Sequence, residues 1–392
     1  MPPPDPPARR YLDNAATTWP KPPEVLAAWD HAAREVGAAA GRAAYREAAV
    51  ADGIRAAARS GVARLLAAAP GRVALPGGCT LALNTAIHGL VRPGMHVIAT
   101  AADHNATLRP LHALARRGGI TLEIVPCDGL GRVDPAAVAA AWRPATGLVV
   151  CTHASNVTGA VQDVAAIAAV AHERDGLVVL DAAQTLGRAP LDAAATGADV
   201  IAAAAHKWVL GTGGVGVLWA REGLVLDSFV AGGTGGASDT LDMPEAFAER
   251  HEPGTPDVPA LAALAAAVAW LEDRQGAARN AACRALADAC AARLREVSGV
   301  RVIAAAAGPA PGAPPPIVSF TVSGYDPADV AVVVEQAAGV QLRSGFHCAA
   351  CIHRHLGTAA AGTVRASFGP FNTAADVDAL VGVVESLAAH AG

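Results

Sequence analysis

The chain has 392 residues and a formal net charge of −5, enough length for two or three domains around a large core. Hydrophobic residues make up 53% and charged residues 17%, which excludes a disordered chain and predicts a soluble, globular one. No basic stripe offsets the acidic balance, which argues against nucleic acid or an anionic membrane as the main partner.

The N-terminus, Met1-Pro2-Pro3-Pro4-Asp5-Pro6-Pro7, reads as an extended proline-rich lead with no signal peptide. Seven cysteines scattered through a long chain point to a reducing, cytoplasmic setting and mostly buried thiols. From Val73 to Trp219, short β-rich runs alternate with helical stretches. Val73-Ala74-Leu75 leads into Pro76-Gly77-Gly78-Cys79-Thr80 and a helix through Leu90. Met95 to Ala99 is a strand followed by Asp103-His104-Asn105, and Ile120 to Val125 is another. Asp134-Pro135 opens a helix, with Asp as cap and Pro at the first helical position. Gly147 to Cys151 is a strand that runs on to Ser155-Asn156-Val157-Thr158-Gly159. Leu177 to Leu180 is a fully apolar strand ending in Asp181, and the apolar run from Asp199 to Ala205 ends in His206-Lys207. This rhythm predicts a mostly parallel sheet with helices on both faces.

After Gly254 the pattern changes to long alanine-rich helices, Val258 to Leu271 and another through Cys283 and Cys290. The uncharged stretch that follows is broken by Pro309, Pro311 and Pro314-Pro315-Pro316, so it is a loop and a strand, not a membrane span. The strand Ile317 to Val322, a helix capped by Asp326-Pro327, the strand Thr363 to Phe368 and a helix from Asn372 complete a smaller α+β part.

The chemistry concentrates at strand ends, where open α/β sheets bind ligands. A lysine at the mouth of a buried strand is held where its charge is costly, and the neutral amine is a nucleophile toward carbonyls. Alone, Lys207 reads as a snorkelling side chain and Asp181 as a helix cap. Together they suit pyridoxal 5'-phosphate, whose ring nitrogen takes an Asp and whose aldehyde takes a Lys. Gly77-Gly78-Cys79-Thr80 opens a helix in the form a phosphate needs, though many strand-to-helix turns look alike. His104 is either a stacking imidazole or an exposed loop residue. Asn156 either reaches a ring hydroxyl or makes an Asx turn, and Gln184 lies within reach of the same oxygen.

Arg343-Ser344-Gly345-Phe346-His347-Cys348-Ala349-Ala350-Cys351-Ile352-His353-Arg354-His355 admits three readings. Cys348 is a nucleophilic thiolate favoured by Arg343 and by His347 or His353 if protonated; or the cluster binds zinc; or both cysteines are structural. Arg365, a charge inside an apolar strand, needs a partner or an anion, and an amino-acid carboxylate fits its fork.

These blocks, with Tyr11-Leu12-Asp13-Asn14-Ala15-Ala16-Thr17-Thr18 and Val364-Arg365-Ala366-Ser367, resemble the class V aminotransferase family of pyridoxal-phosphate enzymes. Within it the chain is most similar to the cysteine desulfurases and selenocysteine lyases, over nearly its whole length. The resemblance implies a fold-type I architecture with a seven-stranded, mostly parallel sheet. It implies an N-terminal segment (1–13) packed on the small domain, a cofactor-binding domain (14–256) and a small C-terminal domain (257–392). It implies that Lys207 holds the cofactor covalently, Asp181 pairs with the ring nitrogen, His104 stacks on the ring, and Asn156 and Gln184 contact its hydroxyl. Cys79, Thr80 and His206 would hold the phosphate, with Thr255 of a neighbouring subunit in a homodimer. Asn14, Arg343 and Arg365 would bind substrate. Cys348 would take sulfur from L-cysteine and pass it to an acceptor protein or small molecule, leaving alanine; no metal is implied. Selenocysteine or a related amino acid is the alternative substrate, and a non-catalytic or metal-binding relative the rival class.

Three positions depart from the family pattern. Ala204 stands where relatives carry Ser or Thr against the phosphate, Tyr45 where many carry His, and Cys351 is an addition.

Overall fold

The computed structural model describes residues 8–188, 191–236, 239–303 and 314–390. The proline-rich lead at residues 1–7 and much of the proline-broken stretch therefore lie outside the described residues. Thirteen strands are used below: β1 (Arg10–Tyr11), β2 (Val73–Ala74), β3 (Met95–Thr100), β4 (Ile120–Val125), β5 (Thr146–Thr152), β6 (Leu177–Asp181), β7 (Val200–Ala204), β8 (Gly216–Ala220), β9 (Val300–Ile303), β10 (Ile317–Val322), β11 (Val340–Gln341), β12 (Arg343–Gly345) and β13 (Thr363–Ser367).

The expected seven-stranded sheet is present, in the order β2-β8-β7-β6-β5-β3-β4. From β7 through β4 every pairing is parallel; β8 pairs antiparallel with both β7 and β2. Leu148, Val149, Val150, Cys151, Val178, Val179 and Leu180 are fully buried, because helices cover both faces and leave no polar side for alternation. On one face Ile98, Val149, Val178 and Ile201 pack with Val164 and Ile167 of the helix Val164–His172. Leu261, Leu264 and Val268 of the helix Val258–Leu271 join that same cluster. The sequence division at 256/257 groups that helix with the C-terminal part; it packs along the helices Pro23–His31 and Arg46–Leu65, and its buried residues share the large sheet's cluster. On the other face Val97, Val150 and Val179 meet Leu83 and Ile87 of the helix Cys79–Leu90, and Leu108 and Leu111 of the helix Asn105–Arg116.

A second, antiparallel sheet has the order β12-β13-β10-β9. Its core holds Phe320, Val364, Phe368, Leu380 and also Leu12, which β1 brings in by pairing parallel with β11. Asp134 and Asp326 cap their helices as expected, each accepting an N–H two residues on at 2.8 Å. The last helix starts at Ala374, not at Asn372. The Asn372 carboxamide instead accepts from Gly369 N at 2.7 Å and donates to Tyr11 O at 3.0 Å, so its chain position serves a turn.

Where β8 begins, Gly216 N donates to Pro76 O at 2.7 Å, and a Cβ at Gly216 would stand 2.4 Å from the Gly78 carbonyl. Gly78 itself has φ +104°, a conformation open to glycine. The glycine pair thus shapes the turn that opens the helix Cys79–Leu90. Gly216→Ala is expected to destabilise the fold by about 2 kcal/mol through overpacking. Gly213→Ala, where a Cβ meets nothing within 4 Å, should lie within about 1 kcal/mol of the parent. Urea unfolding of both variants checks this; equal midpoints would remove the close approach from the account.

Candidate active site

The carboxyl ends of the central strands converge on one cavity. Thr152 ends β5, Asp181 ends β6, Ala204 ends β7 and His104 follows β3; all four line it. Lys207 stands in the turn after β7 and lines the same cavity, and among the described residues its amine accepts or donates no hydrogen bond. Burial holds the Lys207 ammonium below the usual lysine range, with the Asp181 charge opposing. Burial pushes the Asp181 carboxyl upward, against the Ala183 N–H and the charge of Lys207. Asp181 makes part of the bland contact set: Oδ1 accepts from Ala183 N at 2.9 Å and lies 3.9 Å from the Cys79 thiol. No Arg or Lys forms an ion pair with it among the described residues, so a 97% buried carboxylate faces the cavity without a salt-bridge partner.

His104 is half-buried and caps the helix Asn105–Arg116, its Nδ1 accepting from Ala106 N at 3.0 Å. That bond assigns the proton of the neutral ring to Nε2. Burial, then the charge of Lys207, lowers its pKa to about 4. It is therefore neither of the two sequence alternatives alone: it is a cap that also presents a neutral imidazole to the cavity.

Gly77, Gly78, Cys79 and Thr80 line the opposite wall, and the helix they open has no side-chain cap. Its first N–H groups are thus available to an anion. His206 joins that wall, with its pKa lowered to about 4 by burial. Asn156 donates to His347 O at 2.7 Å, while its buried Oδ1 has no partner. Arg365, fully buried in β13, donates to Asn156 O at 2.9 Å and to Asp13 Oδ1 at 2.6 Å, leaving Nε without a partner. A carbonyl-seeking amine, an unpaired carboxylate, an open helix N-terminus and an unpartnered amide oxygen together suit a flat ligand carrying an aldehyde, a ring cation and a phosphate.

Several expected contacts fall elsewhere. Gln184 lines the cavity; its Nε2 donates one N–H to Ala15 O at 3.0 Å and its Oε1 accepts from Trp208 Nε1 at 2.7 Å, which leaves a second N–H on Nε2. Asn14 is buried away from the cavity wall: it donates to Ser367 O at 2.8 Å and accepts from Trp19 N at 3.3 Å. Its amide joins the N-terminal segment to β13 instead of reaching a substrate. Thr255, expected to reach the site of a neighbouring subunit, lines an adjoining depression of its own chain that shares Gly77 and Gly214 with the cavity.

Cys348 is exposed and off the cavity wall. Arg343, which does line the cavity, donates to Cys348 Sγ at 3.1 Å. His347 and Cys348 both have positive φ, 50° and 60°, a backbone that non-glycine residues rarely adopt. The expectation that His347 or His353 supplies positive charge is overturned. Burial lowers His347 to about 2 and also lowers His353, so both rings are neutral near pH 7. Both bond to threonine hydroxyls, His347 to Thr363 at 2.9 Å and His353 to Thr358 at 2.7 Å. Among the described residues no group of three or more His, Cys, Asp or Glu is placed to hold a metal ion. Cys351 is half-buried against both faces' apolar clusters.

Sequence reasoning missed a clamp on the catalytic turn. The His206 carbonyl accepts from Thr18 N, Thr17 Oγ1, Thr18 Oγ1 and Lys21 Nζ at 2.8–3.2 Å, and Thr18 Oγ1 also lies 2.9 Å from Lys207 O. Burial lowers Lys21 to about 7. Thr17 and Thr18 stand in the quoted N-terminal block, but nothing in the sequence says which carbonyl they reach. Asp103 was also passed over. It accepts from Thr100 N at 2.7 Å and Thr152 N at 2.5 Å and so ties the ends of β3 and β5 together.

A doubly covered parallel sheet with its cavity beyond the strand ends defines an α/β enzyme of fold-type I. The sequence pattern of the aminotransferase class-V family matches residues 10–380, and the chain belongs to that family. A probable cysteine desulfurase from Methanothermobacter thermautotrophicus is 32% identical over 388 residues, covering 96% of this chain and 94% of that one. The apo structure of cysteine desulfurase from Thermococcus onnurineus NA1 has a TM-score of 0.88 at 28% identity, covering 97% of this chain and 94% of that one. An S-sulfonic acid form of the cysteine desulfurase CsdA from Escherichia coli has a TM-score of 0.83 at 28% identity, covering 96% and 94%.

His104, His153, His206 and His251 all have pKa values lowered to about 4, chiefly by burial. As pH falls, the unfolded chain takes up these protons first, near pH 6.5. Their contribution to stability is therefore complete above about pH 6.5 and declines toward pH 4. Proton NMR of the ligand-free protein should give the His104 ring a midpoint near 4; a midpoint near 6.5 would show the ring to be solvated.

Proposed function

We propose that this chain is a pyridoxal-phosphate-dependent cysteine desulfurase, converting L-cysteine to L-alanine and leaving the sulfur as a persulfide on Cys348. The observation that carries this reading is the placement of a buried amine, Lys207, and an unpaired buried carboxylate, Asp181, in one cavity that Arg343 links to an exposed thiol. Full-length relatives that bear the same activity in their names support it.

The residues fit the cofactor as follows. Lys207 would carry it, Asp181 would pair with the ring nitrogen, His104 would stack on the ring and Asn156 Oδ1 would meet the ring hydroxyl. The helix opening at Cys79 and Thr80 would hold the phosphate, together with His206 and Thr255 of a second subunit in a homodimer. Ala204 offers no hydroxyl for that phosphate, so its other holders would carry more of it. When bound, pyridoxal phosphate supplies an aldehyde for amine attachment and a ring that takes up electron density from the substrate α-carbon.

The chain's own groups do the rest. Arg365, with Arg343, orients the substrate carboxylate through a planar fork. Lys207, held toward its neutral form by burial, takes the α-proton. Asp103 holds the β3 and β5 ends, and so His104, in register. The Cys348 thiolate attacks the substrate sulfur. The Cβ–S bond breaks, an S–S bond forms on Cys348, and Cβ gains a proton to give alanine. The acceptor is a protein or small molecule carrying a nucleophile. Among the described residues no helix is long and apolar enough to cross a membrane, and a cytoplasmic location belongs to the same proposal.

Lys207→Ala should lower cysteine-dependent alanine release by about 1,000-fold or more, the range lost with a general base. Mass spectrometry of the parent after cysteine treatment should find one added sulfur on the peptide containing Cys348. Cys348→Ala should abolish both that adduct and alanine release. Full alanine release with free sulfide from Cys348→Ala would reject the persulfide route and favour a lyase acting on selenocysteine or a related amino acid.

A further inference from the structure

Resting on the reading of Cys348 as a sulfur carrier, we propose that the rim around this thiol is a basic docking surface for an acidic segment of an acceptor protein. The chain as a whole is acidic, with a formal net charge of −5. Its distribution around Cys348 is the opposite. Between Glu335 and Asp376 the sequence has no Asp or Glu but carries Arg343, Arg354 and Arg365. Between Asp103 and Glu123 it has none either, and carries Arg109, Arg116 and Arg117.

The fold brings these two acid-free segments together at the thiol. Asn105 N, at the start of the helix Asn105–Arg116, donates to Cys348 O at 2.7 Å. Arg109 is one helical turn further on, and Arg354 sits in the short helix Ile352–His355 that follows the Cys348 loop. Both are exposed, and neither side chain has a hydrogen-bond or ion-pair partner among the described residues. Elsewhere the exposed Arg34, Arg64, Arg92, Arg143, Arg174 and Arg221 pair with carboxylates. Asp128, an exposed acid on an adjoining loop, accepts from Leu130 N and Arg132 N at 2.9 and 2.7 Å and forms no ion pair with Arg109 or Arg354. Gly131 of that loop packs on Ile352, so Asp128 flanks the patch without neutralising Arg109 or Arg354. Phe346, 41% exposed beside Cys348, adds an apolar contact at the centre of the charged rim.

Complementary charge raises encounter rates and selects partners, and it is screened by salt. The transfer itself is a thiol exchange. An acceptor thiolate attacks the outer sulfur of the Cys348 persulfide, the S–S bond to Cys348 breaks, and Cys348 leaves as a thiolate with no net oxidation.

The test uses the cofactor-loaded protein, L-cysteine and two synthetic acceptor peptides, each with one central cysteine. One is flanked by aspartates and the other by lysines. Persulfide on each peptide is followed by mass spectrometry, and alanine release with dithiothreitol as acceptor is measured in parallel. The aspartate peptide should accept sulfur about tenfold faster at low salt, and the difference should shrink toward twofold at high salt. The variant Arg109→Glu/Arg354→Glu should reverse the preference and leave dithiothreitol-driven alanine release within twofold of the parent. Arg109→Gln/Arg354→Gln, a milder pair, should erase the preference. Equal rates for both peptides in the parent, or a preference that both variants retain, overturns the docking surface. Absence of alanine release in the parent with dithiothreitol instead overturns the desulfurase reading on which the surface rests.

Discussion

An amine and a carboxylate sit inside one cavity, away from bulk water, and among the described residues neither forms a salt bridge. Burial of an unpaired charge costs more than most folded chains of this size can spare. The protein tolerates it here because both groups stand at the ends of strands whose apolar runs anchor them on both sheet faces. It also tolerates it because each is pushed toward its neutral form, Lys207 downward and Asp181 upward in pKa. The cost is the basis of the chemistry: a group kept from ionising fully by burial gains most when a ligand supplies an opposite charge.

Much of the fold was legible because the central strands are continuous apolar runs, each ended by one charged or polar residue. Leu177 to Asp181 and Val200 to Lys207 could be placed from that pattern alone, and with them the two groups that define the cavity. What the sequence could not show are contacts made between distant segments. The pairing of β1 with β11 involves two residues on each side, too few to leave a periodic signal. Asn14 and Gln184 are the right residue types near the right positions, but their amides are used by Ser367, Trp19, Ala15 and Trp208. Which buried amide is free and which is satisfied depends on tertiary neighbours, not on spacing. The same holds for His347 and His353, whose basicity is set by burial that no local pattern reports.

The cavity and the exposed thiol are separate places joined by one guanidinium. Arg343 lines the first and donates to the sulfur of the second, so cavity wall and thiol position share a side chain. This division lets the amino-acid chemistry stay enclosed while the sulfur leaves from the surface. The consecutive positive-φ residues at 347 and 348 hold the thiol outward, and the buried, neutral His347 pins that turn to Thr363.

Residues 10–21 serve both sheets at once. Arg10 and Tyr11 pair with β11 in a two-stranded sheet and Leu12 enters the core of the small four-stranded sheet, while Thr17, Thr18 and Lys21 grip the carbonyl that precedes Lys207. This short strap is therefore a mechanical tie. Through it the packing of the small sheet's core and the position of the peptide that precedes the Lys207 amine share one short run of chain.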